Sequence, residues 1–158
     1  MPSDISTALL RWMYRGGHPN KLAKILNKGG ALFNLLGILP SYSVTLEVVG
    51  RHSGKLISFP LVMVVMNSER YLVSMLGEKA NWVLNVKAAG GKATLRNGIS
   101  EQVLLKEVDV RQRAPILKAY LKIAPGARPH LPISKDASVT EFEKIASKYP
   151  VFRLEMIS

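Results

Sequence analysis

Residues 50–55, Gly-Arg-His-Ser-Gly-Lys, place two glycines, two cationic side chains, an imidazole and a hydroxyl within a single short stretch. Gly50 and Gly54 free the backbone to turn sharply. Its N–H groups, with Arg51, His52, Ser53 and Lys55, can then converge on a phosphate or a carboxylate. A polar, glycine-rich turn is also the ordinary way to join two strands, so the neighbouring segments must decide between the two readings. In Asn81-Trp82-Val83-Leu84-Asn85-Val86-Lys87 the two asparagines share a helix face at i, i+4. Buried amides must recover the hydrogen bonds they lose to water, either by capping nearby loops or by reaching a polar ligand. Trp82 fits a core position as readily as the wall of a site.

Other chemistries find little support. His18, His52 and His130 are scattered and no Asp/Glu cluster accompanies them, so metal ligation is not expected. There is no Gly-x-Ser-x-Gly elbow, Walker loop or Gly-x-Gly-x-x-Gly turn. The absence of Cys excludes disulfides, thiolate metal sites and a Cys nucleophile.

The elements that must position these residues are legible in the hydrophobic pattern. Ser43–Val49 and Leu56–Met66 are rich in β-branched and apolar residues and flank the basic turn, which predicts a β-hairpin. Asn67-Ser68-Glu69-Arg70 predicts the next turn and Tyr71–Met75 a third strand. A short helix is expected over 79–89, stopped by Gly90-Gly91. Strands at Lys92–Arg96 and Ile99–Val108 join through Asn97-Gly98, the strongest short hairpin signal in the chain. A helix over 111–123 carries Ile116, Leu117, Tyr120 and Leu121 on one face, with Pro115 tolerable in its first turn. A proline-rich loop follows; Ser138 and Glu141 then start a helix running to about Lys148, and Val151–Met156 alternates as a final strand. Six strands, mostly hairpin-connected, with helices between them predict an α+β fold: a closed or nearly closed split antiparallel β-barrel with flanking helices.

At 158 residues and 47% hydrophobic, the chain suits a single domain spanning 1–158. Its first 40 residues form a basic amphipathic N-terminal segment. Ile5, Leu9, Leu10, Trp12 and Met13, then Leu22, Ile25 and Leu26, recur at helical spacing between lysines and arginines. Two short helices are expected there, either packed on the core or touching an anionic lipid surface. No spanning segment and no secretory signal is expected, which implies a cytoplasmic protein. The net charge of +11 favours an anionic partner: nucleic acid, membrane surface or a phosphorylated small molecule. With 7% aromatics and no reading module, nucleic acid is the weaker of these.

The paired segments resemble the deazaflavin-dependent nitroreductase and quinone reductase family of actinobacteria, split-barrel enzymes related to flavin reductases. The resemblance is carried by Gly50-Arg51-His52-Ser53-Gly54, Pro60-Leu61, and Asn81-Trp82 with Leu84-Asn85-Val86-Lys87, and covers about residues 43 to 110 closely and Pro150-Val151-Phe152-Arg153 loosely. It implies that coenzyme F420, rather than FMN, is the cofactor. Arg51, His52, Ser53, Gly54 and Lys55 would then face its phosphate and acidic tail. Pro60, Leu61, Val62 and Met63, with Ser74, Met75, Leu76 and Gly77, would line the deazaflavin ring; Lys79, Trp82, Asn85 and Lys87 would complete the rim. Trp12, Tyr120 and His130 are candidate contacts to an apolar small-molecule substrate. The resemblance implies an F420H2-dependent oxidoreductase passing hydride to a conjugated acceptor such as a quinone, enone or nitro compound. Ile57 stands where the family usually has a second basic residue, and Met75-Leu76-Gly77 is shorter than the family's usual loop. Residues 123–131 lack the tyrosines of the nitroimidazole-reducing member, so that activity is not expected to carry over. A lipid-carrying split barrel without catalysis is the competing reading.

Overall fold

The computed structural model describes residues 42–157. The two basic helices expected within 1–40, and Trp12 with them, lie outside the described residues.

Six strands close into one antiparallel ring: β1 (Ser43–Val49), β2 (Leu56–Met66), β3 (Glu69–Val73), β4 (Lys92–Asn97), β5 (Ile99–Glu107) and β6 (Val151–Met156). Their order around the barrel is β1-β2-β3-β6-β5-β4. Alternation along each strand explains the closure. Val44, Leu46 and Val48 of β1, Phe59, Leu61 and Met63 of β2, Leu72 of β3 and Leu95 of β4 point inward; Val103, Leu105, Phe152 and Leu154 complete the interior core. Strand β2 reads as a nearly unbroken apolar run because both of its faces are covered. Val62 and Val64, on its outer face, meet a second core together with Tyr71, Val73 and Val151.

That outer core is covered by α2 (Ala114–Ile123), whose Ile116, Leu117, Tyr120 and Leu121 face the barrel, and by Phe142 and Tyr149 from the later segment. Each fully buried leucine here contributes on the order of 1.5–3 kcal/mol of transfer free energy. The third helix of the described chain, α3, is limited to Val139–Glu143, followed by a 3₁₀ turn at Ala146–Lys148, and so falls short of the expected 138–148. Ser138 Oγ caps its start, accepting from Glu141 N–H at 3.3 Å. Beyond Glu143 the hydrogen bonds tighten to i→i−3, Lys144 N–H to the Glu141 carbonyl and Ile145 N–H to the Phe142 carbonyl, each at 3.2 Å. Further on, Pro150 has no N–H to offer the Ala146 carbonyl, which accepts from Tyr149 N–H at 3.3 Å and from Arg113 Nη1 at 3.1 Å.

Two strand boundaries also differ from expectation, for local reasons. Strand β3 begins at Glu69, because Asn67 and Ser68 take left-handed φ of 52° and 64° and turn the chain in two residues. It ends at Val73, where the Ser74 N–H leaves the ladder for the Pro150 carbonyl at 2.9 Å. At the β4–β5 turn Asn97 pairs with Ile99, so the tip is Gly98 alone, with φ of 80°. The expected two-residue Asn97-Gly98 tip would shift the register by one. The observed register sets Ala93 opposite Val103, both buried; a one-residue slip would turn one of them to the outside.

The two ends of the barrel are closed differently. The helix α1 (Asn81–Ala88) lies over the end where β1 turns into β2, and adds Trp82, Val83 and Val86 to the interior core. The opposite end is spanned by Arg70 and Glu101, whose strand positions match the inward-facing Leu72 and Val103. Both guanidinium Nη atoms donate to the carboxylate at 3.0 Å.

Candidate functional site

The β1–β2 turn sits beside α1 at the helix-covered end of the barrel. Its backbone is tied twice: Gly50 N–H donates to the Lys55 carbonyl at 2.7 Å, and Gly54 N–H to the Gly50 carbonyl at 2.9 Å. Gly54 has φ of +72°, a conformation that costs other L-residues roughly 1–2 kcal/mol. Gly54→Ala is therefore expected to lower stability by about 1 kcal/mol, read from the urea midpoint, although a Cβ there would meet open space. At Gly50 the constraint is crowding, since a Cβ would lie 2.7 Å from Ile57 Cδ1 and 2.8 Å from Ser53 Oγ.

Arg51 does not hang free in solvent. Its backbone N–H and its Nη1 both donate to Asn85 Oδ1, at 3.2 and 2.8 Å, and its Nη2 donates to Asn81 Oδ1 at 3.3 Å. The asparagine pair thus resolves in favour of gripping the neighbouring turn. Asn85 is 2% exposed, and its side-chain oxygen serves Arg51 twice. Ser53 Oγ accepts from Lys55 N–H at 3.2 Å, which leaves the hydroxyl proton for another acceptor. His52, Lys55 and Lys79 are exposed. Among the described residues, no ion pair engages Arg51, Lys55 or Lys79, whereas Arg70, Lys87, Arg96 and Arg113 each meet a carboxylate. The turn therefore carries cationic charge that no ion pair among these residues offsets.

The second component is the loop from Ser74 to Ala80. Ser74 is fully buried; its Oγ donates to the Gly77 carbonyl at 2.6 Å, and Gly77 N–H returns to the Ser74 carbonyl at 3.3 Å. Met75, Leu76 and Gly77 are half-buried, with Leu76 against the interior core and Met75 against the outer one. This loop leads into Lys79 and α1. The loop rests on residues 148–150, which the sequence reading did not place at the site: the Lys148 carbonyl lies near Gly77, and the Pro150 carbonyl receives Ser74 N–H.

Several anticipated site residues are placed elsewhere. Leu61 and Met63 face the barrel interior and Val62 the outer core, while Pro60 is buried opposite Thr45; the four do not share one face. Trp82 is packed in the interior, edge-on to Phe152 with ring centroids 5.6 Å apart. Lys87 lies about 200° around the helix from Asn85 and pairs with Glu107 at 3.8 Å. Tyr120 belongs to the outer core, where burial pushes its phenol far above the ordinary value of 10.0. The stability that this neutral phenol supports is complete below pH 10 and falls as pH rises above it, by roughly 1.4 kcal/mol per pH unit at most. Tyr120→Phe is expected to flatten that alkaline loss in chemical-denaturation curves. His130 is half-buried, and its carbonyl accepts from Tyr149 Oη at 3.1 Å.

Arg113 is the most consequential residue that sequence reasoning missed. It is 4% exposed and donates to the Val108 carbonyl at 2.9 Å, the Ala146 carbonyl at 3.1 Å and Glu107 Oε2 at 3.2 Å. Its helical spacing to Ile116, Leu117, Tyr120 and Leu121 is the signal that could have revealed it, because the apolar face begins with this arginine.

A closed six-stranded barrel, a helical outer layer and a cationic turn clamped at one rim define the class as a split-barrel α+β fold. The model of the F420H(2)-dependent quinone reductase family matches residues 24–117, more than half of the chain, and the protein belongs to that family. It is an F420-dependent reductase, with F420 as its cofactor. Solved structures agree on the fold. An F420-H2 dependent reductase, FDR-A, superposes with a TM-score of 0.51 at 22% identity, over 75% of this chain and 97% of that one. A conserved hypothetical protein from Mycobacterium tuberculosis gives 0.51 at 12% identity, over 75% and 78%. No curated protein sequence matches this chain. Phosphodiester and carboxylate groups are acceptor-only anions, and the donors present at the turn (guanidinium, ammonium, hydroxyl) fit them.

Proposed function

We propose that the chain reduces an apolar conjugated acceptor, a quinone or enone, with the acidic tail of coenzyme F420 held by Arg51, Ser53, Lys55 and Lys79 at the rim. The observation that carries this reading is the guanidinium of Arg51, fixed on two carboxamide oxygens and engaged in no ion pair among the described residues. When bound, the reduced deazaflavin supplies hydride, so that F420H2 and a quinone yield F420 and a hydroquinone. The protein's part is binding and orientation. The rim anchors the tail, and the Ser74–Gly77 loop, held shut by the Ser74 hydroxyl, offers a rigid, half-buried wall beside it. The barrel interior itself is filled by Trp82, Phe59 and Phe152, so the ring is assigned to the rim and not to the lumen.

The deciding experiment is a fluorescence titration of the full chain with F420, FMN and NADPH. Micromolar binding of F420 alone supports the proposal; its absence overturns it. Among the described residues no helix is long and apolar enough to cross a membrane. The basic apolar pattern within 1–40 supports a cytoplasmic protein with peripheral contact to anionic lipid, for which co-sedimentation with phosphatidylglycerol vesicles, abolished by high salt, is the expected result.

A further inference from the structure

We infer that Asn85 is a positioning residue, whose task at the anion site is to hold Arg51 without neutralising it. The inference rests on the functional reading above. Asn85 lies under the turn and accepts from the backbone N–H and from Nη1 of the same arginine, while Asn81 takes Nη2. Backbone and side chain of Arg51 are therefore fixed relative to each other and to α1, and the guanidinium keeps further donors for a ligand.

The choice of an uncharged acceptor is the informative point. A carboxylate at position 85 has nearly the same shape and would grip a guanidinium about twice as strongly. It would also cancel the charge that an anionic ligand needs. Among the other described arginines acids are the commoner anchors, Arg70 by Glu101, Arg96 by Glu47 and Arg113 by Glu107, while Arg128 is held by the carbonyls of Leu121 and Lys122. Only carboxamides serve Arg51 among the described residues. A site built for rigidity alone would follow the commoner pattern, whereas one that must be rigid and remain cationic requires the amide. A long arginine side chain fixed before binding also loses less rotamer freedom when the ligand arrives.

The test is an F420 fluorescence titration, with thermal midpoints, on the full chain as wild type, Asn85→Asp, Asn85→Ala, Arg51→Ala and the double variant Arg51→Ala/Asn85→Ala. Asn85→Asp is expected to keep or raise the midpoint while weakening F420 binding about tenfold or more; a merely structural amide would not separate the two readouts. Asn85→Ala is expected to weaken binding about five- to tenfold in the wild-type background and negligibly when Arg51 is already absent. Wild-type affinity in Asn85→Asp, or an equal loss from Asn85→Ala in both backgrounds, overturns the inference. A parallel calorimetric titration with inorganic pyrophosphate separates this outcome from failure of the cofactor reading. Pyrophosphate binding with the same order of variants, but no F420 binding, would overturn the cofactor and keep the clamp; binding of neither would overturn both.

Discussion

Arg51→Ala is expected to weaken F420 binding by about 1–3 kcal/mol, roughly five- to 150-fold, the usual cost of losing a hydrogen bond to a charged group. The substitution removes the cation from the turn and also leaves the buried oxygen of Asn85 with only the backbone N–H of residue 51 as donor from its partner. Arg51→Lys should fall between the two, because an ammonium restores charge but cannot reach both Asn81 and Asn85 in the manner of a planar fork. Titration at two ionic strengths checks the interpretation: wild-type affinity should fall with salt more steeply than that of Arg51→Ala, since one cationic contact has gone. Equal affinity of Arg51→Ala and wild type would remove the turn from the site.

Arg113→Ala is expected to have the largest effect on stability, a loss of roughly 3–5 kcal/mol. Alanine would strip the guanidinium donors from the carbonyls of Val108 and Ala146, groups now gathered at one buried point, and leave Glu107 with Lys87 alone. For a chain of this size that corresponds to a fall in Tm of roughly 6–20 °C, measurable by calorimetry. Arg113→Lys should recover only part of it, having one ammonium for three directions. Because Arg113 secures the strip that carries Tyr149 and Pro150, and Pro150 in turn receives Ser74 N–H, the variant should also loosen the rim loop. A midpoint within 2 °C of wild type, on the order of instrument and preparation scatter for less than 1 kcal/mol, would refute this account.

The strands were legible because period-two alternation is a property of the chain itself. β1, β2 and β6 have the expected bounds, and the six-stranded barrel follows from hairpins whose inner faces have to be covered. What escaped was set by partners distant in sequence. Asn85 and Asn81 were recognised as a pair, yet no local pattern says that their acceptors belong to Arg51. The register at Gly98 was decided by Ala93 meeting Val103, a match that outweighed the familiar Asn-Gly turn. The early end of α3 lies in a shift to i→i−3 hydrogen bonds at Lys144 and Ile145, which the hydrophobic pattern does not register. The divergence of Lys87 from Asn85 was implicit in the helical period: two residues along a helix turn a side chain to roughly the opposite face. The resemblance motif grouped residues by sequence proximity, whereas the fold sorts them by face.

Ring closure has a consequence for the order in which the protein can be made. The pairs that seal the barrel join β1 to β4, through Thr45 and Arg96, and the last strand to two earlier ones, with Phe152 opposite both Leu72 and Glu107. Such contacts are remote along the chain, and topologies that depend on them fold slowly. On the ribosome, β1 to β5 can pair among themselves before residues 151–156 emerge. Until then β3 and β5 each present an unmatched row of backbone donors and acceptors, the template on which chains join edge to edge. The final strand therefore ends the interval in which a nascent molecule is most exposed to its neighbours.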